Sequence, residues 1–349
     1  MSEKNNDRFT IGVIAGIILI FALADFVARF GLTGDFDFSK EKAYFRQARY
    51  ERLIFDTRVF LGKREEDDVY IGKRGKIFEM HPADRYPEEM LLKSTVAVGK
   101  FFETYNAAFL LVPTADETWK EDLPKYVDNL DQAAYLELLT ELVGTEAVID
   151  VRSTFQAHSD EQLYYRTDPH WTSMASYYAY QTWREKRNEI PYYYDPENRM
   201  LLTKQFRGKY STHKYLNLKP DALYVFKETL KKPVTVLLDE SIEKSGYYRP
   251  EYVNESEPYY YFLGGDYETA RINTGRDREK SLLVIGDSYA NCMIPLLAPH
   301  YREIFFLNTE RFQGDVFEAA DTYVDQDTEV LILQSVPGFI EYFGKDAAE

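Results

Sequence analysis

The chain has a single cysteine, Cys292, among its 349 residues, and only five histidines. One cysteine excludes an intramolecular disulfide framework and any metal centre built on thiolates. Outside one pair to be described, the histidines His81, His158, His213 and His300 fall at spacings that suggest no metal-ligand cluster. A glycine-rich phosphate-binding loop is also lacking, so nucleotide use has no support. Positive charge is in short supply: 42 Lys and Arg stand against 58 Asp and Glu, a net charge of −16. Nucleic-acid binding is driven by cations that displace phosphate counterions, and no basic patch here provides them. No cofactor and no metal is expected.

Aromatic residues, by contrast, are abundant, at 16% with 29 Tyr and 23 Phe. That usage suits surfaces that stack on sugar rings, or a large fold stapled by tyrosines. One long apolar run occurs at the N-terminus, FTIGVIAGIILIFALA at residues 9–24, behind a polar head that carries Lys4 and Arg8. Sixteen uncharged residues are slightly short of the roughly 20 that cross a bilayer and close to the length of a signal h-region. Phe26, Val27, Phe30 and Leu32 prolong the apolar face, which favours an uncleaved membrane helix, while Ala22-Leu23-Ala24 resembles a cleavage site. Either outcome sends the rest of the chain out of the cytoplasm.

The organisation follows from periodicity. Residues 1–35 form the head and anchor or signal, 36–66 a charged and aromatic stalk, and 67–349 a globular domain with an insertion or small β-rich subdomain at about 188–280. DVYIGKRGKIFE (68–79) has two short alternating runs around a glycine-bearing turn and predicts a hairpin. AAFLLVPTA (107–115) and AVIDV (147–151) are apolar runs of strand length that flank the helical segment DNLDQAAYLELLTELVG, with Asp128 as its cap and Gly144 as its end. SLLVIGDS (281–288), EIFFLN (303–308) and EVLILQS (329–335) are three more such runs. Near-continuous apolar strands separated by helix-length segments predict an α/β fold, an α/β/α sandwich on a five-stranded, mainly parallel sheet.

Two short stretches carry chemistry. In LLVIGDSYANCM a buried strand runs into Gly-Asp-Ser and then into a helical pattern, placing Ser288 at the strand's C-terminal edge, where open parallel sheets bind ligands. A helix starting there would offer free N–H groups to an oxyanion. A serine hydroxyl needs an imidazole to take its proton, and the imidazole needs a carboxylate to orient it. YYRTDPHWTSMASYYAY (164–180) provides both, in Asp168 and His170. Pro169 biases the residue before it towards extended backbone, in which side chains two apart point the same way. Cys292, one turn past the serine, reads as a small buried core group.

TDPHWTS and GDSYA, together with VYIGKRGKIFE and LLVPTADETW, resemble the DHHW family, which belongs among the SGNH-hydrolase-like proteins. The motif's first histidine is Pro169 here, while Asp-x-His-Trp is intact, as in the related alginate-type polysaccharide O-acetyltransferases. Asp and His precede Ser, the reverse of the usual SGNH order. The resemblance implies an extracytoplasmic O-acetyltransferase of Gram-positive type acting on a polysaccharide, with Ser288 as nucleophile, His170 as acid/base and Asp168 as its orienter. A polysaccharide acetyl esterase, or a silent polymer-binding scaffold, are the alternatives. It further implies a membrane-bound O-acyltransferase as acyl supplier. Gly208, Tyr289, Trp171 and Arg166 are the candidates for oxyanion or substrate binding.

Overall fold

The computed structural model describes residues 57–59, 62, 64–213, 216, 218–231, 234–255 and 257–345. The apolar run at 9–24 and the stalk as far as residue 56 lie outside the described residues. Among the described residues no helix is long and apolar enough to cross a membrane.

The chain enters through the antiparallel strands β1 (Glu65–Glu66), β2 (Val69–Ile71) and β3 (Ile77–Glu79). Arg74 and Gly75 take positive φ at the turn between the last two, so the expected hairpin is present. Helix α1 (Glu88–Tyr105) leads to β4 (Ala108–Val112), followed by α2 (Gln132–Val143), α3 (Arg152–Ala157) and α4 (Ser173–Lys186). Next come β5 (Met200–Phe206) and β6 (Asp221–Val225), paired with each other, then β7 (Thr235–Leu238), β8 (Ile242–Ser245) and β9 (Thr269–Asn273). The chain closes with β10 (Ser281–Gly286), α5 (Ala290–Leu297), β11 (Glu303–Asn308), α6 (Val316–Tyr323), β12 (Thr328–Ser335) and α7 (Val336–Gly344).

The principal sheet has seven strands in the order β4-β12-β10-β11-β9-β7-β8. Its first four strands are parallel, and β9, β7 and β8 add to them antiparallel. The sheet is therefore mixed and larger than the five strands expected. Four of the five apolar runs are its parallel strands; AVIDV is not a strand. Around Val148 the chain makes only two bonds to Phe109, of 2.8 Å each, and then turns into α3, whose start is fixed by Asp150 accepting from the Arg152 N–H at 2.9 Å. Within 188–280, β7 and β9 join the principal sheet, while YYYFL (259–263) forms a 3₁₀ turn.

Why the parallel strands look continuously apolar is visible in their alternation. Leu282 and Val284 of β10 pack on one face with α4 and α5, while Leu283 and Ile285 pack on the other with α1, α2, α6 and α7. The same split occurs in β4, β11 and β12. With both faces covered, period-two polarity disappears.

Helix α2 begins one turn later than the cap at Asp128 would require. Asp131 is its N-cap, accepting the Ala134 N–H at 2.9 Å, and Gly144 ends it at φ 84°. Asp131→Ala is expected to lower stability by about 1 kcal/mol, the usual worth of such a cap. Asp128→Ala should leave it almost unchanged. Urea denaturation of the two variants distinguishes the caps.

Candidate active site

At the end of β10 the chain turns sharply through Gly286, Asp287 and Ser288. A Cβ on Gly286 would lie 2.3 Å from the Leu333 carbonyl oxygen of β12, so only glycine lets the two strands close here. Asp287 clamps the turn from inside: Oδ1 accepts the Tyr289 N–H at 3.0 Å, and Oδ2 accepts both the N–H and the hydroxyl of Ser335 at 2.8 Å. Burial and the neighbouring Glu310 push its carboxyl up to about 7. Ser288 stands in this turn ahead of α5, which starts at Ala290 and not at the serine. The Tyr289 N–H is taken by Asp287, but among the described residues no acceptor takes the Ser288 N–H.

The Asp-Pro-His segment is a turn, not the extended backbone expected. A short antiparallel bridge, Tyr164 to Trp171, closes it, and the Thr172 N–H bonds the Leu163 carbonyl at 2.8 Å. Inside the turn Asp168 Oδ1 accepts the backbone N–H of His170 at 3.0 Å and lies 2.5 Å from His170 Nδ1. An aspartate that caps the backbone two residues on is a stable local unit. It fixes the ring without needing strand geometry.

The structure brings the three residues together. His170 Nε2 lies 2.7 Å from Ser288 Oγ, across 118 positions of sequence. The His170 ring stacks on Tyr259 at 3.8 Å between centroids and 6° between planes. Burial disfavours the imidazolium, but the charge and hydrogen bond of Asp168, with Glu310 and Asp287 adding to it, outweigh burial and raise the His170 pKa. For Asp168 burial likewise works against the charge, and His170 with the N–H groups of His170 and Lys209 holds its pKa below the usual value. The two directions agree: the pair favours imidazolium beside carboxylate. In chemical terms the arrangement can take a proton from Ser288 and return it.

The other four candidates serve this constellation without entering it. Trp171 is fully buried; its indole N–H donates to the Tyr289 carbonyl at 2.9 Å. Tyr289 returns the link, its hydroxyl donating to the Pro169 carbonyl at 2.8 Å. Gly208 does not offer its N–H to the serine, because Thr167 Oγ1 accepts it at 3.1 Å. A Cβ there would sit 2.2 Å from Asp168 Oδ2, so the glycine is needed for close approach. Arg166 is turned to the buried Asp221, 3.0 Å from Nε to Oδ1, and does not line the cavity in front of the serine.

Several site residues escaped the sequence reading. Asp221 anchors the Asp-Pro-His turn by accepting from Gln162, Arg166, and the N–H and hydroxyl of Thr167. Glu310 Oε1 accepts from Ser288 Oγ at 2.7 Å. It follows the end of β11 by two residues, at the same sheet edge as Ser288, and that position was its one signal in the sequence. The cavity over Ser288 has a volume of about 650 Å³ and is lined by charged groups more than by aromatic ones. His81, which also lines it, belongs to a second His-Asp pair: His81 Nδ1 lies 3.1 Å from the buried Asp116 Oδ2, while Glu79 spans His81 Nε2 and Lys209 Nζ at 3.7 and 2.9 Å. Cys292 is buried in α5, and burial pushes its thiol up to about 11.

Residues 110–307 match the profile of the DHHW protein family. No curated protein matches the chain. Among solved structures the chain is similar to a DHHW family protein from Eubacterium siraeum, 17% identical with a TM-score of 0.62, over 80% of this chain and 95% of that one. It is also similar to Bacillus cereus PatB1, 17% identical with a TM-score of 0.60, over 80% of this chain and 99% of that one. A second structure of PatB1, with a sulfonyl adduct, gives 16% identity and a TM-score of 0.58 over 77% and 97% of the two chains. The profile covers more than half of the sequence and includes the Asp-Pro-His turn and the serine elbow, and on that ground the chain belongs to the DHHW family.

Proposed function

We propose that this protein is an extracytoplasmic O-acetyltransferase that acts on a polysaccharide through an acyl-Ser288 intermediate. The observation that carries the reading is the continuous hydrogen-bonded line Asp168, His170, Ser288, at 2.5 and 2.7 Å. These separations fall within working distance for a nucleophile, its base and an orienting carboxylate. Neutral His170 takes the Ser288 proton as Oγ attacks the acyl carbon, Asp168 steadies the imidazolium, and the same proton then leaves with the departing group. The Ser288 N–H, which no acceptor among the described residues takes, is a donor available to the developing oxyanion. A sugar hydroxyl, deprotonated by His170, completes the transfer. That PatB1, a structure of the same fold, has been solved with a sulfonyl adduct accords with electrophile capture in such a site.

On this reading the N-terminal apolar run holds the protein at the membrane, or directs its export if cleaved, and the polymer is a cell-wall or exported polysaccharide. A membrane-bound O-acyltransferase would supply the acyl group. An esterase is the second reading, favoured by one feature: the cavity is open and charged, and so admits water. A silent scaffold is disfavoured by the close alignment of the three side chains.

The full-length protein in detergent, treated with p-nitrophenyl acetate, is expected to form an acetyl adduct on the Ser288 peptide by mass spectrometry. Ser288→Ala should lose it, and His170→Ala should lose turnover. Asp168→Asn should cost on the order of 10⁴-fold, the effect of removing the orienting carboxylate from such triads. A well-folded wild type with neither adduct nor turnover would leave the scaffold reading. Gly208→Ala should lower turnover on the order of a hundredfold by displacing Asp168, although none of the three side chains is changed.

The pH profile has a defined sign. Acylation needs neutral His170, and the folded protein raises its pKa. Turnover should therefore rise with pH along a limb centred above the ordinary imidazole value of about 6.5. A limb centred below that value would contradict the charge environment described above.

A further inference from the structure

Ser288 Oγ has two partners and one proton. His170 Nε2 lies at 2.7 Å and Glu310 Oε1 at 2.7 Å. A carboxylate only accepts, so with both bonds made the serine donates to Glu310 and His170 must be the donor to Oγ. That is imidazolium, serine and carboxylate in a row, an arrangement that cannot yet deprotonate the nucleophile. Glu310 is held where it is: its N–H bonds Asn308 Oδ1 at 3.2 Å, and the adjacent Thr309 bonds the Gly286 carbonyl through its N–H at 2.8 Å and its hydroxyl at 3.1 Å. The carboxylate is thus tied to the serine elbow itself. It nevertheless opens to the cavity, so an arriving substrate can reach it.

Resting on the acyl-serine reading above, we propose that Glu310 is a further catalytic residue: it holds the Ser288 proton in the free enzyme and, after acylation, receives one hydroxyl of a vicinal-diol acceptor while His170 deprotonates the other. The bonds balance. In the first half His170 gives its Nε2 proton to solvent and the serine proton turns from Glu310 to Nε2. The Oγ–acyl bond then forms, the donor's acyl bond breaks, and the serine proton passes through His170 to the leaving group, the solvent proton being taken up again when the free enzyme is restored. Acylated Oγ has no proton to give, so Glu310 loses its donor. In the second half the acceptor oxygen bonds the acyl carbon, the Oγ–acyl bond breaks, and the acceptor's proton passes through His170 to Oγ. Glu310 gains and loses no proton; it accepts from Ser288 in the free enzyme and from the second hydroxyl of the acceptor once that has bound the acyl-enzyme. Water or a simple alcohol can satisfy only one of the two groups at a time, whereas neighbouring hydroxyls on a sugar ring satisfy both.

The groups around this pair also fix a pH signature. Asp168, Asp287 and Glu257 add negative charge, Lys209 and Arg311 positive charge, and Tyr259, Tyr260 and Tyr267 close the remaining sides. Removing the Glu310 charge takes one anion from beside His170, so the ascending limb of acylation should move to lower pH.

The test uses the full-length protein with p-nitrophenyl acetate and, as acceptors at equal concentration, 1,2-propanediol or 1-propanol. Transfer against hydrolysis is read by product analysis. Wild type should prefer the diol; Glu310→Ala should lose that preference by about tenfold, the worth of a hydrogen bond to a charged group. Glu310→Gln, nearly isosteric, should shift the ascending limb downward in pH. A wild type that forms the Ser288 adduct, with variants that keep both its limb and its diol preference, overturns this inference alone. A wild type with no adduct overturns it together with the acyl-serine reading.

Discussion

Two reciprocal hydrogen bonds between the Asp-Pro-His turn and the serine elbow set the geometry of everything else in the site. The Trp171 indole donates to the Tyr289 carbonyl, and the Tyr289 hydroxyl donates to the Pro169 carbonyl. The residue after His170 is thereby bound to the residue after Ser288, and the residue before His170 to that same tyrosine. Buried, such bonds are costly to break, because each leaves an unpaired polar group in an apolar setting. Trp171 and Tyr289 both belong to the core on their face of the sheet, so the link inherits the rigidity of the packing.

Each half of the link is secured separately. The serine elbow is clamped by Asp287 to the end of β12, where the Ser335 hydroxyl also accepts the Gly338 N–H and caps α7. The histidine turn is clamped by Asp221 of β6 and closed over by Gly208. Two buried acids, one per half, hold backbone that belongs to neither helix nor strand. Asp221 has Arg166 as a counter-ion, whereas the Asp287 carboxyl is pushed up by burial first and by the neighbouring Glu310 second.

How much of this could be read in advance depended on whether the signal was local. The four parallel strands were legible because burial on both faces makes an uninterrupted apolar run. The antiparallel strands β8 and β9 were not, since TARIN in β9 alternates weakly and β8 is exposed along its length. AVIDV has the composition of a strand but lies at the edge beside β4, and nothing within five residues says that the chain leaves after two bonds. Asp168 and His170 were legible because they sit two apart and form one local unit, although by a turn and not by extended backbone. Ser288 was legible from the strand and glycine before it. Glu310, Asp221 and the His81-Asp116 pair were hidden, because their proximity to the site is created only by tertiary packing.

The high aromatic content finds its account in the same irregular backbone. Among the described residues, the core on the face of the sheet that carries the histidine turn includes twelve buried tyrosines among its aliphatic residues, whereas the opposite face has two, Tyr86 and Tyr135. Loops, turns and helix ends leave carbonyls that no ladder can pair, at the margin of an apolar core where water is scarce. A tyrosine answers both demands, with a ring for the core and a hydroxyl for the stray acceptor. Tyr164 bonds the Pro113 carbonyl after β4, Tyr289 that of Pro169, and Tyr194 that of Leu296 at the end of α5. Phenylalanine at these positions would fill the same volume yet strand a buried carbonyl. Charged groups outnumber tyrosines in the cavity lining, so most of the tyrosines build the frame that aims the site and few of them face what enters it.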